Sequence, residues 1–286
     1  MSETPDAAGA ATAIGDSNDR FGHHFKLLLG SRKTWLWGGI PALVLAIGLA
    51  FANVVWIPII FVLALLIVLV VCAVIAVKRA RSDFWLAYAE HRGMSMSDER
   101  GLLPPATPLL RKGDDRYTER TLTGSLGDGC EGTLALYTYE EESYDSKGNK
   151  QTSYYHYTVG LLEIPESAQL VPELYCQRKF GLRALEGFED LFRGSKERVK
   201  LESEALDEKY EIFTNEAQDA NWLRQLFEPT FIVWLTDSAP KKFTFELVDG
   251  VLCCYVKGHK EDVADLDEIC AASATVATRI REEATE

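Results

Sequence analysis

Five stretches carry residue types from which a reactive site is built. His23-His24 set two imidazoles side by side, but no third donor lies nearby, and the pair reads as solvated. His156 sits among tyrosines in Tyr154–Leu162 (YYHYTVGLL) and reads as a hydrogen-bonded strand histidine. Cys253 and Cys254 are adjacent in an extended run. Successive strand side chains point to opposite faces, so these two cannot grip one metal. Gly124-Ser125-Leu126-Gly127-Asp128-Gly129 is glycine-rich like a phosphate cradle, yet no Lys-Ser/Thr follows, and it reads as a tight turn. Glu202 and Asp207 have the spacing of a carboxylate pair. Carboxylates at a turn also accept backbone N–H groups, and that structural role is the one expected of them.

The chain lacks G-x-S-x-G, H-E-x-x-H and a Walker loop. The sequence therefore names no catalytic residue, no cofactor-binding residue, no cofactor and no metal ligand.

The elements that would position these residues fall into two unlike parts. Trp35–Val77 is 43 residues without Asp, Glu, Lys or Arg, in a chain of mean hydropathy −0.07. One helix of that length would reach about 65 Å, twice a bilayer's hydrocarbon thickness. Two transmembrane helices are expected, at about 36–52 and 55–77, with the break near Ala52-Asn53. Arg32 and Lys33 precede this hairpin, Lys78, Arg79 and Arg81 follow it, and its loop is uncharged. The positive-inside rule then puts both termini in the cytoplasm of a multi-pass protein of the cell membrane. The lipid bilayer is the first partner, through residues 35–77. Residues 1–34 read as a disordered and juxtamembrane tail, with Phe21–Leu29 lying on the membrane surface.

Residues 78–286 read as a cytoplasmic α+β domain. Of the chain's 30 basic and 43 acidic residues, 23 and 39 lie in 82–286, a balance that repels polyphosphate and excludes nucleic acid as a partner. Of six cysteines, Cys72 lies in the apolar segment, and the other five, an odd number without C-x-x-C spacing, read as reduced thiols. Ser82–Arg92 patterns as an amphipathic helix that stops at Gly93. Strands are expected at Tyr117–Leu126, Thr133–Tyr139, Tyr154–Leu162, Leu170–Arg178 and from Arg198. The acidic run between the second and third of these reads as a long solvated loop. A short helix is expected at Ala184–Phe192. Asn215-x-x-Gln218 resembles a capping box before a helix ended by Pro229. Asp249-Gly250 joins Phe243–Val248 to Val251–Val256 as a hairpin. An apolar stripe from Val263 to Ile280 marks a final helix over about 261–283. The fold class is thus α+β: a two-helix transmembrane hairpin, then a mostly antiparallel sheet domain with a C-terminal helix.

Within Val199–Pro229, the run Leu201-Glu202-Ser203-Glu204-Ala205-Leu206-Asp207, followed by Tyr210, Phe213, Asp219, Leu226 and Pro229, resembles a family pattern. The family is one of uncharacterised bacterial membrane proteins with a domain of unknown function behind one or two N-terminal transmembrane helices. Ala205 departs from its pattern, where an aromatic residue is expected. The resemblance implies the anchor-plus-domain layout and no activity. Glu202, Ser203, Asp207, Tyr210 and Pro229 are its motif residues here, with a structural role. The expected function is a membrane-tethered cytoplasmic binding or scaffold module that engages a membrane or cytoplasmic protein. A membrane-proximal hydrolase-like enzyme and an accessory subunit of a membrane complex are the alternatives.

Overall fold

The computed structural model describes residues 17–30, 57–179, 196–215, 218 and 220–285. The chain divides into two compact units, Met1–His91 and Arg92–Glu286. In the first, helix α1 (Ser17–Gly30) covers the stretch expected at the membrane surface and takes in Ser17–Asp19, which the sequence reading gave to the disordered tail. His24 is not simply solvated: its Nε2 lies 2.6 Å from Asp83 Oδ2, and Arg20 Nη1 donates to the Asp83 carbonyl at 2.7 Å.

Helix α2 (Ile57–Arg92) merges two expected elements. The second transmembrane span and the amphipathic helix form one unbroken rod, because residues 78–81 (KRAR) are good helix formers and contain no breaker. Pro58 stands in its first turn, where a missing N–H costs nothing. Val62–Arg92 makes this helix long and apolar enough to cross a membrane, and Leu63, Leu66, Ile67, Val70 and Val74 are exposed along it. Among the described residues it is one such helix and not a hairpin. The first expected span, 36–52, lies outside the described residues, as does the short helix expected at 184–192.

Among the described residues, the second unit is built on a nine-stranded antiparallel sheet in the order β1-β2-β3-β4-β9-β8-β5-β7-β6. Its strands are β1 (Ser95–Ser97), β2 (Asp115–Gly127), β3 (Cys130–Tyr144), β4 (Lys150–Glu163), β5 (Glu173–Arg178), β6 (Lys196–Val199), β7 (Tyr210–Asn215), β8 (Thr244–Val248) and β9 (Val251–Lys257). Asp128 and Gly129 (φ 47° and 69°) turn β2 into β3. Asp249 and Gly250 (φ 48° and 79°) turn β8 into β9.

The expected acidic loop is largely strand. β3 and β4 stay in register out to Tyr144 opposite Lys150, past the last pairing of β2 and β9. The glutamates of this exposed ribbon are met by opposite charge across it, as in the Lys150 Nζ–Glu142 Oε1 pair at 2.5 Å. The turn shrinks to 145–149, where Asp145 Oδ1 accepts from the N–H groups of Lys147 and Asn149.

Short helices α3 (Pro108–Arg111), α4 (Glu204–Lys209), α5 (Ala220–Leu226) and α6 (Pro229–Val233) precede the long α7 (Val263–Thr285). The apolar stripe of α7 packs on β2, β3, β4 and β9. Gly160 permits its approach: a Cβ there would run into the Ser273 side chain. The opposite face gathers Tyr137, Tyr139, Tyr157, Tyr175, Cys253 and Tyr255 with Leu109 and Leu110 of α3. Cys254 faces the other way, toward Ser273, and all six cysteines are buried.

Candidate functional site

The structure separates the family-motif residues by role. Ser203 is the N-cap of α4, its Oγ accepting from Leu206 N at 3.4 Å. Glu202 is exposed and Asp207 lies within the helix, so the hydroxyl between them, not either carboxylate, meets the free N–H. Tyr210 is buried and donates its hydroxyl to the Leu235 carbonyl at 3.3 Å. Pro229 opens α6. The capping box does not form as expected: Gln218 Nε2 donates to the Leu170 carbonyl, and Asn215 Oδ1 and Gln218 Oε1 accept nothing from the described residues. The strand β7, for which the sequence carries no expectation, buries Tyr210, Ile212 and Thr214 in alternation.

A different constellation assembles on β2, β3, β4 and the loop that follows β9. The β2–β3 ladder is shifted between Thr118 and Arg120, leaving Glu119 as the extra residue of a bulge. Such bulges re-aim a side chain. His156 of β4 pairs across the ladder with Thr138 of β3, and its Nδ1 lies 2.9 Å from the buried Thr138 Oγ1. His259 comes from a loop strapped to β4. Gly258, at φ 91°, donates its N–H to the His156 carbonyl at 2.7 Å. The Thr158 hydroxyl donates to the Gly258 carbonyl at 2.9 Å and accepts from Lys260 N at 2.8 Å.

The loop thus holds the His259 ring 4.6 Å from that of His156. His259 Nε2 lies 3.2 Å from the Tyr137 carbonyl and 3.3 Å from Thr138 Oγ1. A carbonyl only accepts, so Nε2 carries the proton. The remaining nitrogen, Nδ1, faces Glu119 Oε2 at 3.8 Å. Burial pushes the His259 pKa down, against the pull of the Glu119 charge. One donor atom each from Glu119, His156 and His259 lies within 4.8 Å of the others. The sequence singled out His156 but not its two neighbours.

No known protein family, no curated protein and no solved structure matches this chain.

The other face holds a second group that sequence reasoning missed. Glu246 is wholly buried in β8. Its Oε1 accepts from Tyr255 Oη at 2.9 Å and its Oε2 from Leu109 N at 3.1 Å, an N–H in the first turn of α3 with no helical partner. An acid inside the run Thr244–Val248 (TFELV) was the available signal, since a fully buried carboxylate must be paired or hydrogen-bonded. This group ties α3 to the sheet. Surface depressions of about 200 and 290 Å³, lined around Lys260 and Asp265 and around Phe231 and Arg279, are smaller than most ligand pockets.

Proposed function

We propose that this chain is a membrane-tethered binding or scaffold module, anchored by two helices, with both termini and the sheet domain in the cytoplasm. The observation that carries this reading is the exposed apolar length of α2, which a water-soluble chain would bury. Basic residues after that length and before Trp35, with none in the uncharged stretch between, support the orientation. The likeness of residues 199–229 to membrane proteins with a domain of unknown function is consistent with the same layout. The small volume of the depressions on the described surface and the protruding β3–β4 ribbon, with Tyr144 and Tyr154 exposed, suit a protein partner better than a small substrate. Tethering raises the effective concentration of the domain toward partners in the same membrane.

Alkaline carbonate extraction of membranes tests the anchor. The parent chain stays in the pellet. Leu66→Arg combined with Val70→Asp adds roughly 2.5–3.5 kcal/mol per charge at the centre of a span and releases a fraction of the chain into the wash. Release of the parent itself overturns the proposal.

A further inference from the structure

The arrangement of Glu119 and His259 is electrostatically incomplete. His259 spends its N–H on the Tyr137 carbonyl, so Nδ1 presents a lone pair. That lone pair faces a carboxylate oxygen at 3.8 Å, too far for a hydrogen bond and with no donor on either side. Two acceptors held face to face call for a positive centre between them. His156 adds a second imidazole. With its Nδ1 committed to Thr138 Oγ1, its Nε2 is the nitrogen left to donate.

The structure assigns Glu119, His156 and His259 to a site for a single divalent first-row transition ion of the zinc class, with Thr138 and the Tyr137 carbonyl orienting the two imidazoles. Each part of the site has a chemical reason. Two imidazole nitrogens and one carboxylate suit zinc and its neighbours, whereas calcium and magnesium prefer all-oxygen shells. Metal-bound histidines have their second nitrogen fixed by a carbonyl, hydroxyl or carboxylate, and here both are. Three protein donors leave one tetrahedral position for water or an external ligand, as in open zinc sites. Donors on one zinc stand about 3.3 Å apart, given metal–ligand bonds of about 2.0–2.1 Å. The donor atoms now lie up to 4.8 Å apart, and rotation of the half-exposed Glu119 side chain draws its carboxylate toward the two imidazoles that Thr138 and the strapped loop hold in place. One carboxylate leaves a net positive charge on the bound ion, and the nearby charge of Glu261, which also acts on His259, opposes it.

A proton on His259 Nδ1 would satisfy the same pair as a simple ion pair, and zinc titration separates the two. The full chain, solubilised in detergent and stripped with a chelator, is titrated with zinc chloride alone and followed by calorimetry and thermal melting. The expected result is one ion per chain and a melting temperature that rises with zinc concentration. Glu119→Gln and His156→Gln each weaken binding at least tenfold and abolish the rise, while melting without zinc stays near that of the parent. Thr138→Val, which only removes an orienting hydroxyl, weakens binding by roughly 10–100-fold. His23→Gln combined with His24→Gln leaves it unchanged. Absence of zinc binding by the parent, parental affinity in Glu119→Gln and His156→Gln, or loss in the His23/His24 variant would each overturn the assignment.

Discussion

At the scale of single residues, removal of the Glu246 side chain is costly because both of its oxygens are in use. Glu246 sits where β8 is buried on both faces and serves two donors that have no solvent to turn to. Glu246→Ala leaves the Tyr255 hydroxyl and the Leu109 N–H facing a void. Each unsatisfied buried donor costs about 1–3 kcal/mol, so the variant loses that much or more. Chemical denaturation of the detergent-solubilised chain measures it, and parental stability would contradict the role. Lys112 lies close enough for the Glu246 charge to act on it, yet burial still pushes its pKa down. The Cys253 thiol, on the same face, is pushed well up by burial, so it is a packing group and not a nucleophile.

At the scale of elements, alternation and turn chemistry were legible and long-range register was not. The Asp249-Gly250 hairpin and the stripe of α7 stand close to their expected bounds because both signals are local. β7 escaped because Glu211, Phe213 and Asn215, half-buried on its other face, are polar or aromatic, and only the buried Tyr210, Ile212 and Thr214 betray the period. The β3–β4 ribbon escaped because Glu140-Glu141-Glu142 reads as loop, whereas charges are tolerated wherever both faces of a ribbon meet water. The Glu119, His156 and His259 cluster depends on a bulge and on a pairing between residues about a hundred positions apart. No window along the chain contains that information.

Gly160 tests the packing of α7 on the sheet. A methyl group there meets Ser273 Cβ at 3.1 Å as well as its hydroxyl, which donates to the Ile269 carbonyl at 2.8 Å. Gly160→Ala therefore overpacks the helix–sheet contact by about 1–3 kcal/mol, visible as an earlier denaturation midpoint. An unchanged midpoint would mean that the helix rides further from the sheet than described.

At the scale of the whole molecule, the chain divides into an apolar rod and a charged sheet domain. Arg279 and Arg281 show how the domain closes on itself. The first donates to the Leu226 carbonyl and pairs with Glu283 at 2.6 Å, and the second donates to Glu166 Oε1 at 3.0 Å. The apolar rod has no comparable internal partners for Leu63, Leu66, Ile67 or Val70 among the described residues. The measurement that bears most directly on membrane tethering is labelling of intact cells with a membrane-impermeant maleimide. The six native thiols are buried, so single engineered cysteines report their own side of the membrane. With both termini in the cytoplasm, Asn53→Cys reacts from outside, while Ser2→Cys and Glu286→Cys react only after lysis. Labelling of either terminus in intact cells, or protection of Asn53→Cys until lysis, would contradict that topology.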